Sequence, residues 1–380
     1  MKKEYKEIIN IASSFKKRKY LKYISFIKFF AVIIIIKWHQ FLHKNWGFHV
    51  GGRMVEILFI SSGFLVGYNY FNFPINSTYE NSFKYAYKHL RVFYPLYIIN
   101  FIVGLIENKI RFNHINRTPF STLTNIQIIL INLTLLQTWS KYINSIFNNA
   151  TWYLSVLMQA YFLSPFLLKG IKNIKISATL FIIVSLIRIL VEYFVKNGEI
   201  NLFPTYLYFG PIIRLLEFYL GMLMIPLFFY LKTKQDKIAK YKIILDVFYT
   251  IIQIFAPIQQ YLIMKKYNYI YSSFHVIYCC FFVFIIANDY GFLSNITNNK
   301  ILNKLKSCQY EVYILQFRLD IFFRKLYSSK FKKNHLYIEL LFHLKLILLF
   351  LISYNYNIFL KEKFAQLMDI IIAFLSKIFN

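Results

Sequence analysis

The sequence predicts an all-α protein, a polytopic membrane helix bundle of about ten transmembrane helices with both termini in the cytoplasm. Of its 380 residues, 58% are hydrophobic. Apolar runs of about 20 residues, the length that crosses a hydrocarbon core, recur along the chain. Lys and Arg residues gather in short segments between these runs, which is typical of cytoplasmic loops.

Ten apolar runs are the predicted spans. They are 20–42, 52–71, 88–108, 151–168, 176–195, 206–230, 243–264, 269–287, 308–323 and 336–360. A further apolar segment, 122–139, is interrupted by Asn and Gln. If that segment crossed, most of the later basic clusters would face outward, so we expect it to pack at the outer surface or to be re-entrant.

Three regions follow from this pattern. Residues 1–19 form a basic cytoplasmic tail, residues 20–360 form the membrane domain, and residues 361–380 form a short helix at the membrane surface. The net charge of +29 resides in the loops rather than along a groove, which argues against nucleic acid as a partner. The three cysteines show neither a disulfide framework nor metal-ligand spacing, and we expect no metal and no bound cofactor.

Ionisable residues are concentrated in the first two spans, where apolar residues would cost less free energy. Lys28 and His39 are eleven residues apart, so they share a helix face about 16 Å apart along the axis. Glu56, in the second span, is expected to lie at a depth in the membrane comparable with that of His39. A histidine beside a carboxylate can accept a proton from a hydroxyl, so the pattern predicts a general-base site within the bilayer.

Structural alternatives remain open for each of these residues. Trp38 and His39 would also serve as an interfacial anchor, and Lys28 would also extend to the headgroups. Glu56 would also form an ion pair with Arg53. Either of two histidines in the following loop is an alternative base; these are His43 and His49.

The opening of the chain resembles the acyltransferase 3 family of integral-membrane O-acyltransferases. The resemblance rests on Ile24 to Ala31, on His39, on Gly51-Gly52 to Glu56, and on Ser62-Gly63-Phe64-Leu65. In that family the first helix carries a basic residue, usually arginine, before an essential histidine. Lys28 takes the basic position here, and it keeps the charge but loses the planar fork.

Four later segments extend the resemblance through most of the chain. They are Arg91 to Tyr97, Thr151 to Ser155 with Tyr161 and Pro165, Arg214 to Gly221, and Tyr310 to Gln316. In these later segments the chain departs from the family at three positions, of which Arg91 lies one residue earlier than usual. Leu157 stands where many members have glutamate, and Gln316 stands where histidine is common.

The resemblance implies transfer of an acyl group, usually acetyl, from acyl-CoA to a sugar hydroxyl of a surface polysaccharide or lipid-linked glycan. It implies a multi-pass protein of the bacterial cytoplasmic (inner) membrane. His39 and Glu56 are then the catalytic residues, and Trp152 and Arg214 contact the acceptor, although Arg214 would also pair with Glu217. The expected donor-binding residues are Lys28, Lys84, Lys88 and Arg91, although Lys84 and Lys88 are also explained as ordinary cytoplasmic charge.

Two other functions remain open. Buried Lys, His and Glu also build ion-coupled sites, so the chain would alternatively be a transporter or flippase for a glycan or lipid-linked glycan. The departures at Leu157 and Gln316 also allow a catalytically inactive relative of the family.

Overall fold

A computed structural model describes twelve ranges of the chain. They are residues 21–39, 50–72, 76–108, 125–139, 149–171, 173–196, 209–234, 241–266, 272–288, 290–292, 304–326 and 335–379. The predicted tail, residues 1–19, and the loop histidines His43 and His49 lie outside these ranges.

Within the described ranges, all regular structure is helical, as predicted. The α-helices are α1 (Lys22–Trp38), α2 (Val50–Asn72), α3 (Tyr79–Asn108), α4 (Asn125–Leu133), α5 (Trp152–Leu167), α6 (Ile174–Lys196), α7 (Pro211–Leu223), α8 (Ile225–Thr233), α9 (Lys242–Lys266), α10 (Ser272–Ala287), α11 (Gln309–Leu326), α12 (His335–Phe359) and α13 (Lys361–Phe379).

Several helices are long and apolar enough to cross a membrane, so the chain is a multi-pass membrane protein. In the part of the chain that the structure describes there are five such segments: Arg53–Phe71, Tyr79–Ile106, Ile174–Val195, Pro211–Thr233 and Leu336–Phe359. Pro211–Thr233 runs through both α7 and α8. The count of ten crossings and the cytoplasmic position of the termini remain predictions.

The apolar segment 122–139 contains only a short α-helix in its described part. The nine residues of α4 rise about 14 Å, roughly half the thickness of a hydrocarbon core. Leu135 then adopts a left-handed conformation, with φ of 57°, and Gln137–Trp139 form a 3₁₀ turn. The described residues therefore do not form one straight membrane-crossing helix.

The chain divides into two compact units. The first unit comprises Met1–Ile35, Trp46–Ser82 and Leu163–Asn303, and the second comprises Ile36–Asn45, Phe83–Phe162 and Lys304–Asn380. Helices α2, α6, α7, α8, α9 and α10 belong to the first unit, whereas α4, α11, α12 and α13 belong to the second.

In the first unit, α2 and α7 approach until their backbones touch. A Cβ added at Gly63 would lie 1.8 Å from the Phe218 carbonyl oxygen, and one at Gly221 would lie 2.0 Å from the Ile60 carbonyl oxygen. Gly63 and Gly67 form the small-xxx-small spacing that permits such contact between membrane helices. This close approach joins the middle of α2 to the C-terminal half of α7.

In the second unit, α13 packs against residues of α3 and α11. Tyr87 donates a hydrogen bond to Asp369 over 2.6 Å, and Lys361 lies 2.7 Å from the Glu311 carboxylate. Lys37, in the last turn of α1, pairs with Glu339 of α12. The C-terminal helix is therefore held by hydrogen bonds and ion pairs, and its position at a membrane surface remains a prediction.

Candidate functional site

A cluster of buried charges occupies one end of the first unit, where α2, α7 and α10 begin and α6 ends. Its members are Arg53, Glu56, Arg188, Glu192, Arg214, Glu217 and His275. Because the contacts join early residues of α2, α7 and α10 to late residues of α6, α6 runs antiparallel to the other three helices. The order of the predicted spans implies the same directions.

Three of the four helices carry an arginine one turn before a glutamate. Arg53 and Glu56 are separated by three residues on α2, Arg214 and Glu217 by three on α7, and Arg188 and Glu192 by four on α6. Residues at these separations lie on one helix face. Each helix therefore brings an internally neutralised pair into the bundle, which lowers the free-energy cost of placing charge in an apolar environment.

Glu56 lies at the centre of the cluster and is 2% exposed. Arg53 Nη1 donates a hydrogen bond to Glu56 Oε1 over 2.7 Å. Arg214 Nη1 lies 4.0 Å from the same oxygen, and His275 Nδ1 lies 2.9 Å from Oε2. Both carboxylate oxygens are thus engaged by groups from three helices, which fixes the position of the carboxylate.

A second part of the cluster extends from Glu217 toward α6. Arg214 donates to Glu217 over 2.6 Å, and Arg188 lies 3.5 Å from Glu217 and 2.9 Å from Glu192. The three arginines and three glutamates of the whole cluster balance when His275 is neutral. A balanced and hydrogen-bonded set is the form in which buried charges are tolerated.

Cys279 brings a third potential metal ligand next to Glu56 and His275. The ligand atoms of these residues all lie within 4.8 Å of one another. However, Arg53 bonds to Glu56 and Arg214 lies beside it, so a divalent cation would be placed next to two guanidinium groups. The geometry fits a hydrogen-bonded cluster better than a metal centre.

The structure places the two predicted catalytic residues in different units. Glu56 belongs to the first unit, and its carboxylate contacts His275. His39 follows α1 and belongs to the second unit, where its ring lies 5.0 Å from the partly exposed Trp38 ring. The catalytic roles of His39 and Glu56 remain predictions, whereas the alternative ion pair of Glu56 with Arg53 is present.

The predicted donor-binding residues are in contrasting environments. Lys28 is buried on α1, with 3% of its surface exposed, in the same unit as Glu56. Lys84 and Lys88 are exposed on α3. Arg91 lies 3.3 Å from Glu362 and 3.4 Å from Asp369, both on α13.

The predicted acceptor contacts are both buried. Trp152, at the start of α5, is 3% exposed and Arg214 is 2% exposed. The alternative pairing of Arg214 with Glu217 is present. Trp152 belongs to the second unit and Arg214 to the first, and each is available only to a group that enters among the helices around it.

Sequence reasoning missed three members of the cluster, namely Arg188, Glu192 and His275. Each interrupts an otherwise apolar helix, which is the signal that drew attention to Glu56. Arg188 and Glu192 also carry the spacing of a helical ion pair. Sequence alone does not show that His275 contacts Glu56, or that the pair of Arg188 and Glu192 reaches Glu217 through Arg188.

Comparison with known families identifies the family to which the chain belongs. A family model described as an acyltransferase domain matches residues 21–360, nearly the whole chain. No curated protein and no solved structure shows significant similarity to it. The matched region contains α1 to α12 and every residue of the charge cluster. The chain therefore belongs to the acyltransferase 3 family, and membership supports an acyltransferase role for this multi-pass membrane protein.

Proposed function

We propose that the protein transfers an acyl group, specifically acetyl, from acyl-CoA to a sugar hydroxyl of a surface polysaccharide or lipid-linked glycan. It would act as an O-acetyltransferase of the bacterial cytoplasmic membrane. The observation that carries the proposal is the acyltransferase match over residues 21–360, which includes the spans holding Lys28, Glu56 and Arg214. Ionisable side chains buried in membrane-length helices are typical of functional sites.

The reaction exchanges a thioester for an oxygen ester. The acceptor hydroxyl loses its proton and attacks the acyl carbonyl carbon, the carbon–sulfur bond breaks, and the CoA thiolate takes up a proton. His39 is the proposed catalytic histidine, which either accepts the hydroxyl proton or carries the acyl group between donor and acceptor. Glu56 is the proposed catalytic carboxylate.

Binding of the two substrates is assigned to basic and aromatic residues. Coenzyme A is anionic, so its phosphates are the proposed ligands of Lys84, Lys88 and Arg91, and Lys28 is proposed to help hold the donor from the inner side. The proposed acceptor contacts are Trp152 and Arg214.

The test measures the ester content of the glycan. Cells that express the chain are compared with cells that lack it, and base-labile acyl esters on surface polysaccharide are quantified. We expect one ester to depend on the gene and to disappear with His39→Ala at unchanged membrane abundance. His343→Ala, at an exposed histidine on α12, is the matched control. Identical ester content with and without the gene would contradict the proposal and would favour the transporter or the inactive relative.

A further inference from the structure

His275 is a buried imidazole that the proposed roles do not use. It lies in the first turn of α10 and is 8% exposed. The Nδ1 atom of His275 is 2.9 Å from Glu56 Oε2, although the two residues are far apart in the sequence. The helices α2 and α10 thus build a histidine–carboxylate pair inside the first unit.

The contact with Glu56 determines which nitrogen of the ring carries the proton. A carboxylate with Arg53 on its other oxygen is an anion and can only accept hydrogen bonds. Nδ1 must therefore donate, which leaves the lone pair on Nε2. A carboxylate that orients an imidazole in this tautomer and stabilises the imidazolium formed later is the arrangement found in general-base catalysis.

Burial among apolar helices disfavours a permanent positive charge on the imidazole and so favours its neutral, proton-accepting form. Arg53 of α2, on the other oxygen of Glu56, adds to this effect, and Arg214 of α7 lies 4.0 Å from the same carboxylate. On α6, Glu192 pairs with Arg188, and on α10 the Cys279 thiol lies 3.4 Å from Nδ1 as a weak polar partner. When a proton arrives, Glu56 lies in direct contact and stabilises the resulting cation.

We propose that His275 and Glu56 together form the acid–base pair of the acyl transfer, with Nε2 of His275 accepting the proton of the acceptor hydroxyl. This proposal rests on the proposed function. As the hydroxyl O–H bond breaks, an Nε2–H bond forms, the oxygen bonds to the acyl carbon, and the carbon–sulfur bond of acyl-CoA breaks. The imidazolium then returns the proton to the departing sulfur or to water. In this scheme the carboxylate predicted from sequence orients His275.

Substitution by asparagine distinguishes catalysis from structure. The amide nitrogen of His275→Asn can still donate a hydrogen bond to Glu56, but asparagine has no nitrogen that accepts a proton at neutral pH. A merely structural histidine is therefore rescued by asparagine, whereas an acid–base histidine is not. His275→Gln provides a second variant, and His343→Ala is again the control.

The experiment measures acyl transfer from labelled acetyl-CoA to glycan in membranes, per amount of folded protein. We expect His275→Asn and His275→Gln to lose about 100-fold or more of the rate at wild-type abundance, since general-base catalysis contributes on this scale. We also expect the wild-type rate to rise with pH below about 6.5, the ordinary value for histidine, because burial disfavours the imidazolium, and we expect the variants to lose this rise.

Three outcomes separate the proposals. Retention of wild-type rate by His275→Asn in membranes whose wild-type protein is active would overturn the acid–base pair alone. A wild-type rate that is flat with pH would also overturn it, even if both variants failed to accumulate. Absence of any transfer by the wild-type protein would instead contradict the proposed function.

Discussion

The strongest stability prediction concerns Glu217, which is completely buried between two arginines. Glu217→Leu removes one negative charge from a balanced set and leaves Arg214 and Arg188 without their shared partner at 2.6 and 3.5 Å. Breaking a buried ion pair in this way costs about 3–5 kcal/mol. Because each 1.4 kcal/mol is about tenfold, the folded-to-unfolded ratio should fall by roughly 10²- to 10³-fold or more.

The double variant Arg214→Leu with Glu217→Leu provides the internal control. It restores charge balance, because Arg188 still pairs with Glu192 and Arg53 still pairs with Glu56. Replacing both members of a buried pair by apolar residues is often close to neutral. We therefore expect the double variant to be more stable than either single variant.

The assay is unfolding of the purified protein in detergent, followed by the loss of helical circular dichroism with added denaturant. A double-mutant cycle gives the coupling free energy between the two positions. A loss below about 1 kcal/mol for Glu217→Leu, or simple additivity of the two substitutions, would refute the buried charge balance.

Three further predictions concern packing and donor binding. Gly63→Ala should strongly lower the amount of folded protein, because the new Cβ would lie 1.8 Å from the backbone of α7. Gly170→Ala is the control and should be tolerated, because its Cβ would meet the movable Tyr219 hydroxyl at 2.9 Å. Equal amounts of the two folded variants in gel filtration would contradict this packing. Arg91→Ala should raise the KM for acyl-CoA if Arg91 binds the donor. Glu362→Gln breaks the same exposed ion pair and should leave this KM unchanged. Equal KM values for the two variants would exclude Arg91 from the donor site. Lys28→Arg should retain activity and Lys28→Ala should raise the donor requirement, and unchanged kinetics in the alanine variant would exclude a role for Lys28.

The fold class could be predicted because it depends on single segments. Whether an apolar run of membrane length enters the bilayer depends on the transfer free energy of that run itself and not on the helices that it packs against. The same reasoning identified 122–139 as an exceptional segment, since Asn132 and Gln137 would be unsatisfied in lipid. In the structure these residues lie in and after the short helix α4, where the Asn132 amide donates to the Ile128 carbonyl.

The partners of the site residues could not be predicted, because they depend on which helix faces meet. Gly63 and Gly221 bring α2 against α7, and this contact carries Arg214 to within 4.0 Å of Glu56. A hydropathy pattern carries no information on how closely two helices approach each other. For the same reason, His275 could be recognised as an unusual residue in an apolar helix but not as the partner of Glu56.

The paired ions on α2 and α7 show where local rules suffice. Spacings of three residues already indicated that Arg53 could bond to Glu56 and Arg214 to Glu217, and both pairs are present. The local rule does not show that the two pairs join into one cluster. That joining, rather than either pair alone, distinguishes a candidate site from isolated ion pairs.

The measurement that tests the central claim most directly is transfer of label from acetyl-CoA to glycan by membranes containing wild-type protein or His39→Ala at matched abundance. His39 is partly exposed, so its removal should leave the fold intact. The account predicts a base-labile acetyl ester on the glycan with the wild-type protein and none with the variant. Equal labelling by the two membranes, or labelling by neither, would contradict it.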